Sequence, residues 1–167
     1  LYGDDLAETE DESTGLLGIE AAPHPQGALI KHVIPNSPAD REFSQLKEGE
    51  VITSVNGRDI EGSNLYATLI NKAEKEIYME VLDQEGNRRN VTIRPTRSLY
   101  QEKYKEWVEE RKELTEEYSN GRLGYIHIQG MNWTSFERFE RELMASGYGK
   151  EGIVIDVRFN GGGWTTD

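Results

Sequence analysis

Apolar positions fall in short blocks separated by turn residues, and the period inside the blocks switches between two and about 3.6. Residues 13–22, Ser-Thr-Gly-Leu-Leu-Gly-Ile-Glu-Ala-Ala, read as a glycine-bracketed loop running into a strand that Pro23 to Gln26 break. Residues 27–34 read as a second strand, Pro35 to Pro38 as a turn, and Ala39 to Leu46 as a short helix. Val51 to Val55 is a β-branched strand ended by Asn56-Gly57, a strong hairpin signal. Residues 63–73 suit a helix with Ser63 as its N-cap and Leu65, Leu69 and Ile70 on one face. Residues 76–82 and 89–94 alternate as strands linked through Gln84 to Asn87, and Pro95 ends this first region.

The period then lengthens. Tyr100, Tyr104, Trp107, Arg111, Leu114 and Tyr118 recur at spacings of three and four, which predicts an amphipathic helix over 98–118, stopped by Asn120-Gly121. A packing stripe accounts for these aromatics better than a cofactor box. Leu123 to Ile128 is an apolar strand, Asn132 or Thr134 caps a helix over 135–145, and Gly147 to Gly149 turns the chain. Ile153 to Val157 is nearly continuously apolar, the pattern of a strand covered on both faces, and it runs into Asn160-Gly161-Gly162-Gly163. This is a strand–helix–strand unit, expected parallel with a right-handed crossover. Two strands cannot bury both sheet faces, so a truncated part of a larger core is expected.

Composition narrows the function classes. A chain of 167 residues holds one medium domain, or one small domain and part of another. The net charge is −12, with an acidic cluster from Asp4 to Glu12, so residues 1–12 read as a solvated tail or linker. Phosphate recognition needs clustered Lys and Arg, so nucleic acid is not an expected partner. The chain has no cysteine, which excludes disulfides, thiolate metal sites and cysteine nucleophiles. No apolar run approaches the about 20 residues of a membrane span, and no membrane partner is expected. The chain begins with Leu rather than Met, so the true N-terminus is expected upstream. The compartment is left open, with the cytoplasm expected ahead of the periplasm.

Two sets of residues carry a resemblance. Gly15-Leu16-Leu17-Gly18-Ile19, Val33-Ile34-Pro35-Asn36-Ser37-Pro38-Ala39, Leu46-Lys47-Glu48-Gly49-Glu50-Val51-Ile52 and Val55-Asn56-Gly57-Arg58-Asp59-Ile60 together resemble a PDZ domain of the protease type, with Glu50 where Asp is usual. Gly121 to Ile128, and Gly152 to Gly163 with its Asp-Val-Arg-Phe-Asn-Gly-Gly-Gly run, resemble the core of tricorn proteases and C-terminal processing peptidases. The resemblance implies a mixed α+β chain. A PDZ-like, partly open β-barrel with helices occupies 13–97, a helical arm 98–120, and a truncated βαβ portion of a serine peptidase core 121–167. It further implies a peptidase acting on peptides or unfolded protein segments. Its catalytic His would precede the PDZ segment and its nucleophilic Ser would follow the glycine run, both outside this chain. A homo-oligomer would form through the rest of the core.

The residues give this chemistry two places. A loop closed by Gly15 and Gly18 can converge the amides of Leu17, Gly18 and Ile19 on a peptide carboxylate, the strand from Ile19 to Ala22 offers an edge for β-augmentation, and Leu65 and Leu69 line a pocket for the last side chain. The glycine run leaves amides bare beyond a strand end, and the resembled family uses one as an oxyanion-hole donor. Gly162 is the first choice and Gly163 the second. A P-loop is disfavoured, since no Gly-Lys-Ser/Thr ending follows. Asp156 and Arg158 read as a structural ion pair ahead of an active-site wall. His24, His32 and His127 have no metal-ligand spacing and read as structural or surface residues. No metal or cofactor is expected. The alternative reading is a non-catalytic PDZ module that captures partner C-termini and uses the residual core as scaffold.

Overall fold

Alternating apolar residues build an antiparallel sheet in the first half of the chain. The computed structural model describes residues 13–60 and 65–163. Its strands are β1 (Ile19–His24), β2 (Gly27–Val33), β3 (Val51–Val55), β4 (Arg58–Asp59), β5 (Ile77–Leu82) and β6 (Arg88–Ile93). They pair in the order β1-β2-β3-β5-β6, with β4 on β3. The loop before β1 and the segment after β6 meet in a bridge, with reciprocal amide bonds of 2.8 and 2.9 Å between Leu16 and Thr96. The sheet therefore curls into a partly open barrel and does not close strand to strand. Ala28, Ile30, Ile52, Val55, Ile77, Met79, Val81, Val91 and Ile93 point into one core with Leu65 and Leu69.

The turn chemistry follows the sequence closely. Asn56 and Gly57 both have positive φ, 50° and 74°, as a two-residue type I′ hairpin requires. The Asp83 carboxylate accepts the amides of Glu85 and Asn87 and shapes the β5–β6 hairpin. Glu50, where Asp is usual, is buried; it pairs with Arg89 and accepts the Lys47 amide at 2.8 Å, pinning the turn into β3.

Two expected helices contract. The helix expected over 39–46 is only a 3-10 turn at Pro38–Asp40, after which Arg41 is extended. Ser44 donates its hydroxyl to the Pro38 carbonyl at 2.6 Å, and the Leu46 amide bonds the Ala39 carbonyl. Ala39 and Leu46 are thus buried by a closed loop rather than by one helix face. The helix expected over 63–73 is described only as α1, Leu65–Thr68; the Ser63 cap lies outside the described residues. Asn71 and Glu74 adopt positive φ and end it, and Ile70 turns out to bridge Thr14, 39% exposed, instead of sharing the buried face of Leu65 and Leu69.

The chain divides into two compact units between Lys103 and Tyr104, within α2 (Tyr100–Ser119). Ser98 accepts the Tyr100 amide at the helix start, and Asn120-Gly121, both with positive φ, stop it. In the second unit β7 (Leu123–His127) and β8 (Gly152–Asp156) pair in parallel, joined by α3 (Trp133–Gly147). Asn132 caps α3, accepting the Ser135 amide at 2.9 Å. On β8, Val154 and Ile155 are 39% and 48% exposed, in keeping with the expectation that two strands cannot bury both sheet faces.

Candidate functional site

The first unit brings Leu17, Gly18, Ile19, Leu65 and Leu69 around one cavity of about 280 Å³. Gly18 sits at φ +88°, and a Cβ there would lie 2.1 Å from Ser37. The loop is therefore fixed against the Pro35–Pro38 turn: the Gly18 carbonyl accepts the Ile34 amide at 2.8 Å and the Ser37 hydroxyl at 3.3 Å. The Leu17 carbonyl likewise accepts the Ala39 amide. The loop's carbonyls are turned into the fold, while the amides of Leu17 and Gly18 donate to no acceptor among the described residues. Beyond them, among the described residues β1 pairs with β2 alone, which leaves its other edge without a strand partner there, with Pro23 lacking an amide donor. Leu65 and Leu69 are each 1% exposed and make the cavity apolar.

The second unit holds the glycine run beyond the end of β8. Asn160 brackets the loop: its Nδ2 donates to the Ile128 carbonyl at 2.9 Å, and its Oδ1 accepts the Gly162 amide at 2.7 Å. The Gly161 amide bonds the Gln129 carbonyl, and the Gly162 carbonyl accepts the Met131 amide. Gly163 bridges Met131 so closely that a Cβ would lie 1.7 Å from the Met131 carbonyl oxygen. Of the two candidate donors, the Gly162 amide is occupied by Asn160, and the Gly163 amide has no acceptor among the described residues.

Asp156, at the end of β8, forms an ion pair with Arg158 and accepts the Tyr125 hydroxyl at 2.8 Å. Hydrogen bonds from Arg158 hold the Asp156 carboxyl well below the usual carboxylate range, against the opposing effect of burial. The Tyr125 hydroxyl is pushed up to about 12 by burial and then by the Asp156 carboxylate it bonds. The guanidinium of Arg158 is stabilised as a cation by the same carboxylate. The group is a structural clamp on the strand end.

The histidines occupy structural positions. His24 Nδ1 accepts the Gln26 amide, His32 pairs with Glu48, and His127 is buried with both ring nitrogens bonded. The hydroxyls of Ser37, Ser44 and Ser119 donate to backbone carbonyls. Among the described residues no group of three or more His, Asp and Glu side chains is placed to hold a metal, and no helix is long and apolar enough to cross a membrane. Sequence reasoning missed the Asn160 bracket, the Ser37 stop behind Gly18, and Leu99 and Lys103 on the cavity wall. The Asn before the glycines is the one signal that pointed to the bracket, since an Asn side chain can bond the backbone two residues on.

Comparison with known proteins bears on the family of both regions. A family model described as "Tricorn protease PDZ domain" matches residues 15–98, and one described as "Peptidase family S41" matches residues 122–167. A tricorn protease homolog of Saccharolobus solfataricus is 39% identical over 122 residues, which is 73% of this chain and 11% of that protein. Tricorn protease homolog 1 of Streptomyces coelicolor is 29% identical across 91% of this chain and 15% of its own length. The crystal structure of the tricorn protease superposes with a TM-score of 0.78 at 25% identity, covering 91% of this chain and 16% of that one. The chain thus spans only a small part of the length of these relatives. With a matched PDZ region, a matched peptidase segment and a relative of this identity, the chain belongs to the tricorn protease family.

Proposed function

We propose that this chain supplies a peptide-binding groove and one oxyanion donor of a serine peptidase that hydrolyses peptides or unfolded protein segments. The observation that carries the reading is the Gly163 amide, unengaged by any described acceptor in a loop whose neighbouring amides are tied down. When a serine hydroxyl attacks a peptide carbonyl, negative charge develops on the carbonyl oxygen, and a pre-aimed amide stabilises it without reorganising. The serine and its base come from parts of the longer protein outside this chain. The Asn160–Gly162 bond favours Gly163 over Gly162 as the donor.

The groove has a complementary part. An extended peptide laid along β1 places its terminal carboxylate at the amides of Leu17 and Gly18 and its last apolar side chain between Leu65 and Leu69. The cavity is at the small end of the about 300–1,000 Å³ usual for ligand pockets, which suits a peptide end. Assembly of the longer protein as a homo-oligomer through the rest of its core belongs to the same reading.

The test uses the full-length protein. It is expected to cleave a fluorogenic peptide and to stop on treatment with a serine-directed phosphonate, while the 167-residue chain alone cleaves nothing. An inert full-length protein whose groove still binds peptide would replace this reading with the non-catalytic PDZ module, which the groove's place in a separate compact unit favours. Inhibitor-sensitive cleavage by the short chain would overturn the placement of the nucleophile.

A further inference from the structure

We infer that His127 is a positioning residue that fixes the glycine loop through the backbone carbonyl of Arg158, an inference that rests on the loop's proposed role as oxyanion donor. His127 ends β7 and is 5% exposed. Its Nε2 lies 2.7 Å from the Arg158 carbonyl oxygen and its Nδ1 2.9 Å from the Tyr104 hydroxyl. A carbonyl only accepts, so Nε2 carries the hydrogen. Arg138, on α3, places its guanidinium over the Tyr104 ring, 5.9 Å from the centroid. With that hydrogen on Nε2, the lone pair of Nδ1 accepts the Tyr104 hydroxyl.

The result is a chain of donors running one way, from Tyr104 to His127 to the Arg158 carbonyl. It holds the ring with Nε2 toward the loop and Nδ1 toward Tyr104. The surroundings add more cations: Arg111 and Arg158 both lie over the Trp107 ring, which packs edge-on to His127 at 4.9 Å. The nearby carboxylates of Glu110, Asp156 and Glu142 are each paired with one of these arginines.

The carbonyl that His127 holds stands where the chain leaves β8 for the loop. Phe159, the next residue, has φ +59°, a left-handed conformation that bulky residues rarely adopt. Such a conformation persists only where the surroundings over-determine it. Here the carbonyl before it is bonded by His127, its ring lies edge-on to Trp107 at 6.1 Å, and Asn160 after it is bonded to Ile128. Releasing the Arg158 carbonyl lets the peptide between residues 158 and 159 rotate, and the Gly163 amide moves with the loop.

The experiment has a spectroscopic and a kinetic arm. In the 167-residue chain, ¹⁵N-edited imidazole spectra are expected to show His127 with a protonated Nε2 and an unprotonated Nδ1. His127→Leu is expected to move the amide resonances of 158–163, and His127→Gln, whose amide nitrogen can reach the same carbonyl, to restore most of them. In the full-length protein His127→Leu is expected to lower kcat about 10- to 100-fold with KM changed less than about twofold, as for a misaimed donor. His127→Gln should recover most of that loss, and Tyr104→Phe, which frees the tautomer while leaving a residue of similar volume, should fall between. A charged or Nδ1-protonated His127, loop amides indifferent to His127→Leu, or equal kcat in His127→Leu and His127→Gln would each overturn the inference. An inert wild-type protein would overturn the peptidase reading instead, and the spectra would still decide whether His127 sets the loop. If His127→Leu does not fold, Tyr104→Phe and His127→Gln carry both arms.

Discussion

In the first unit Ile52, Ile77 and Val81 are fully buried in a cluster fed by β2, β3, β5 and β6. In the second, α3 has no buried residue, and Ile155 on β8 is 48% exposed. Trp133, Phe136 and Phe139 line an open apolar hollow of about 540 Å³. The first unit holds itself together by apolar burial, which is non-directional and needs only its own residues. The second is held by directed bonds: Tyr125 to Asp156, His127 to Arg158, Asn160 to Ile128. Among the described residues, the groove therefore sits in a unit with its own apolar core, and the glycine loop in a unit in which apolar side chains of α3 and β8 are exposed. The proposed groove and the candidate oxyanion loop thus lie in units held together in different ways.

The sharpest way to break this contrast is to separate the units. Residues 13–103 are expected to unfold in one cooperative transition, with stability of about 5–10 kcal/mol for a domain of this size. Residues 104–167 alone are expected to show helix by circular dichroism but no cooperative urea transition. A cooperative transition in the second piece would remove the distinction.

Single substitutions sharpen it. Ile77→Ala, at a fully buried position, is expected to cost about 2–5 kcal/mol, whereas Ile155→Ala, half exposed on β8, is expected to cost less than about 1 kcal/mol. Chemical denaturation of the whole chain, followed by probes in each unit, measures both. Equal losses would mean that β8 is covered in solution.

The sequence announced the first unit better than the second, for the same physical reason. Asn56-Gly57 and the alternation over β5 and β6 are local signals, and each produced the expected structure. The expected helix over 39–46 failed because Ala39 and Leu46, seven residues apart, match a helix face equally well when a loop buries them. The apolar run of β8 is the pattern of a strand covered on both faces, and its exposure here follows from a sheet of two strands, which cannot supply that cover. At the glycine loop the residue type was legible and the hydrogen-bond assignment was not. Which amide Asn160 occupies depends on how β7 continues through Gln129 and Met131 beside it. His127 was set aside because its partners Tyr104, 23 residues earlier, and Arg158, 31 later, share no spacing rule.

A smaller effect is expected in the groove. A peptide with a free carboxylate should bind, and amidating its end should weaken binding about tenfold, since a charged acceptor makes the stronger bonds with the Leu17 and Gly18 amides. Gly18→Val should abolish binding, because φ +88° and the approach of Ser37 both exclude a branched side chain. NMR titration reads both. Equal affinity for acid and amide peptides would detach the groove from carboxylate recognition.

The smallest effect concerns acid, and it belongs to the second unit alone. Arg158 and Tyr125 depress the Asp156 carboxyl in the folded chain, so the folded state favours the carboxylate more than the unfolded state does. A depressed carboxyl contributes stability that is complete above its unfolded value of about 3.9 and is lost as pH falls toward the lower folded value. The contribution is modest. The Asp156 side chain is 6% exposed but its partner Arg158 is 60% exposed and remains partly solvated. Between a surface pair and a buried one, about 1–2 kcal/mol is expected. Asp156→Asn keeps the shape and removes the charge, so its deficit relative to the natural residue should be constant between pH 5 and 8, within about 0.5 kcal/mol, and should shrink below about pH 4. A probe in the first unit, such as Tyr78, should report no such convergence. A deficit unchanged down to pH 2 would mean that Asp156 acts through its shape and hydrogen bonds alone, and the clamp at the end of β8 would then not depend on its charge.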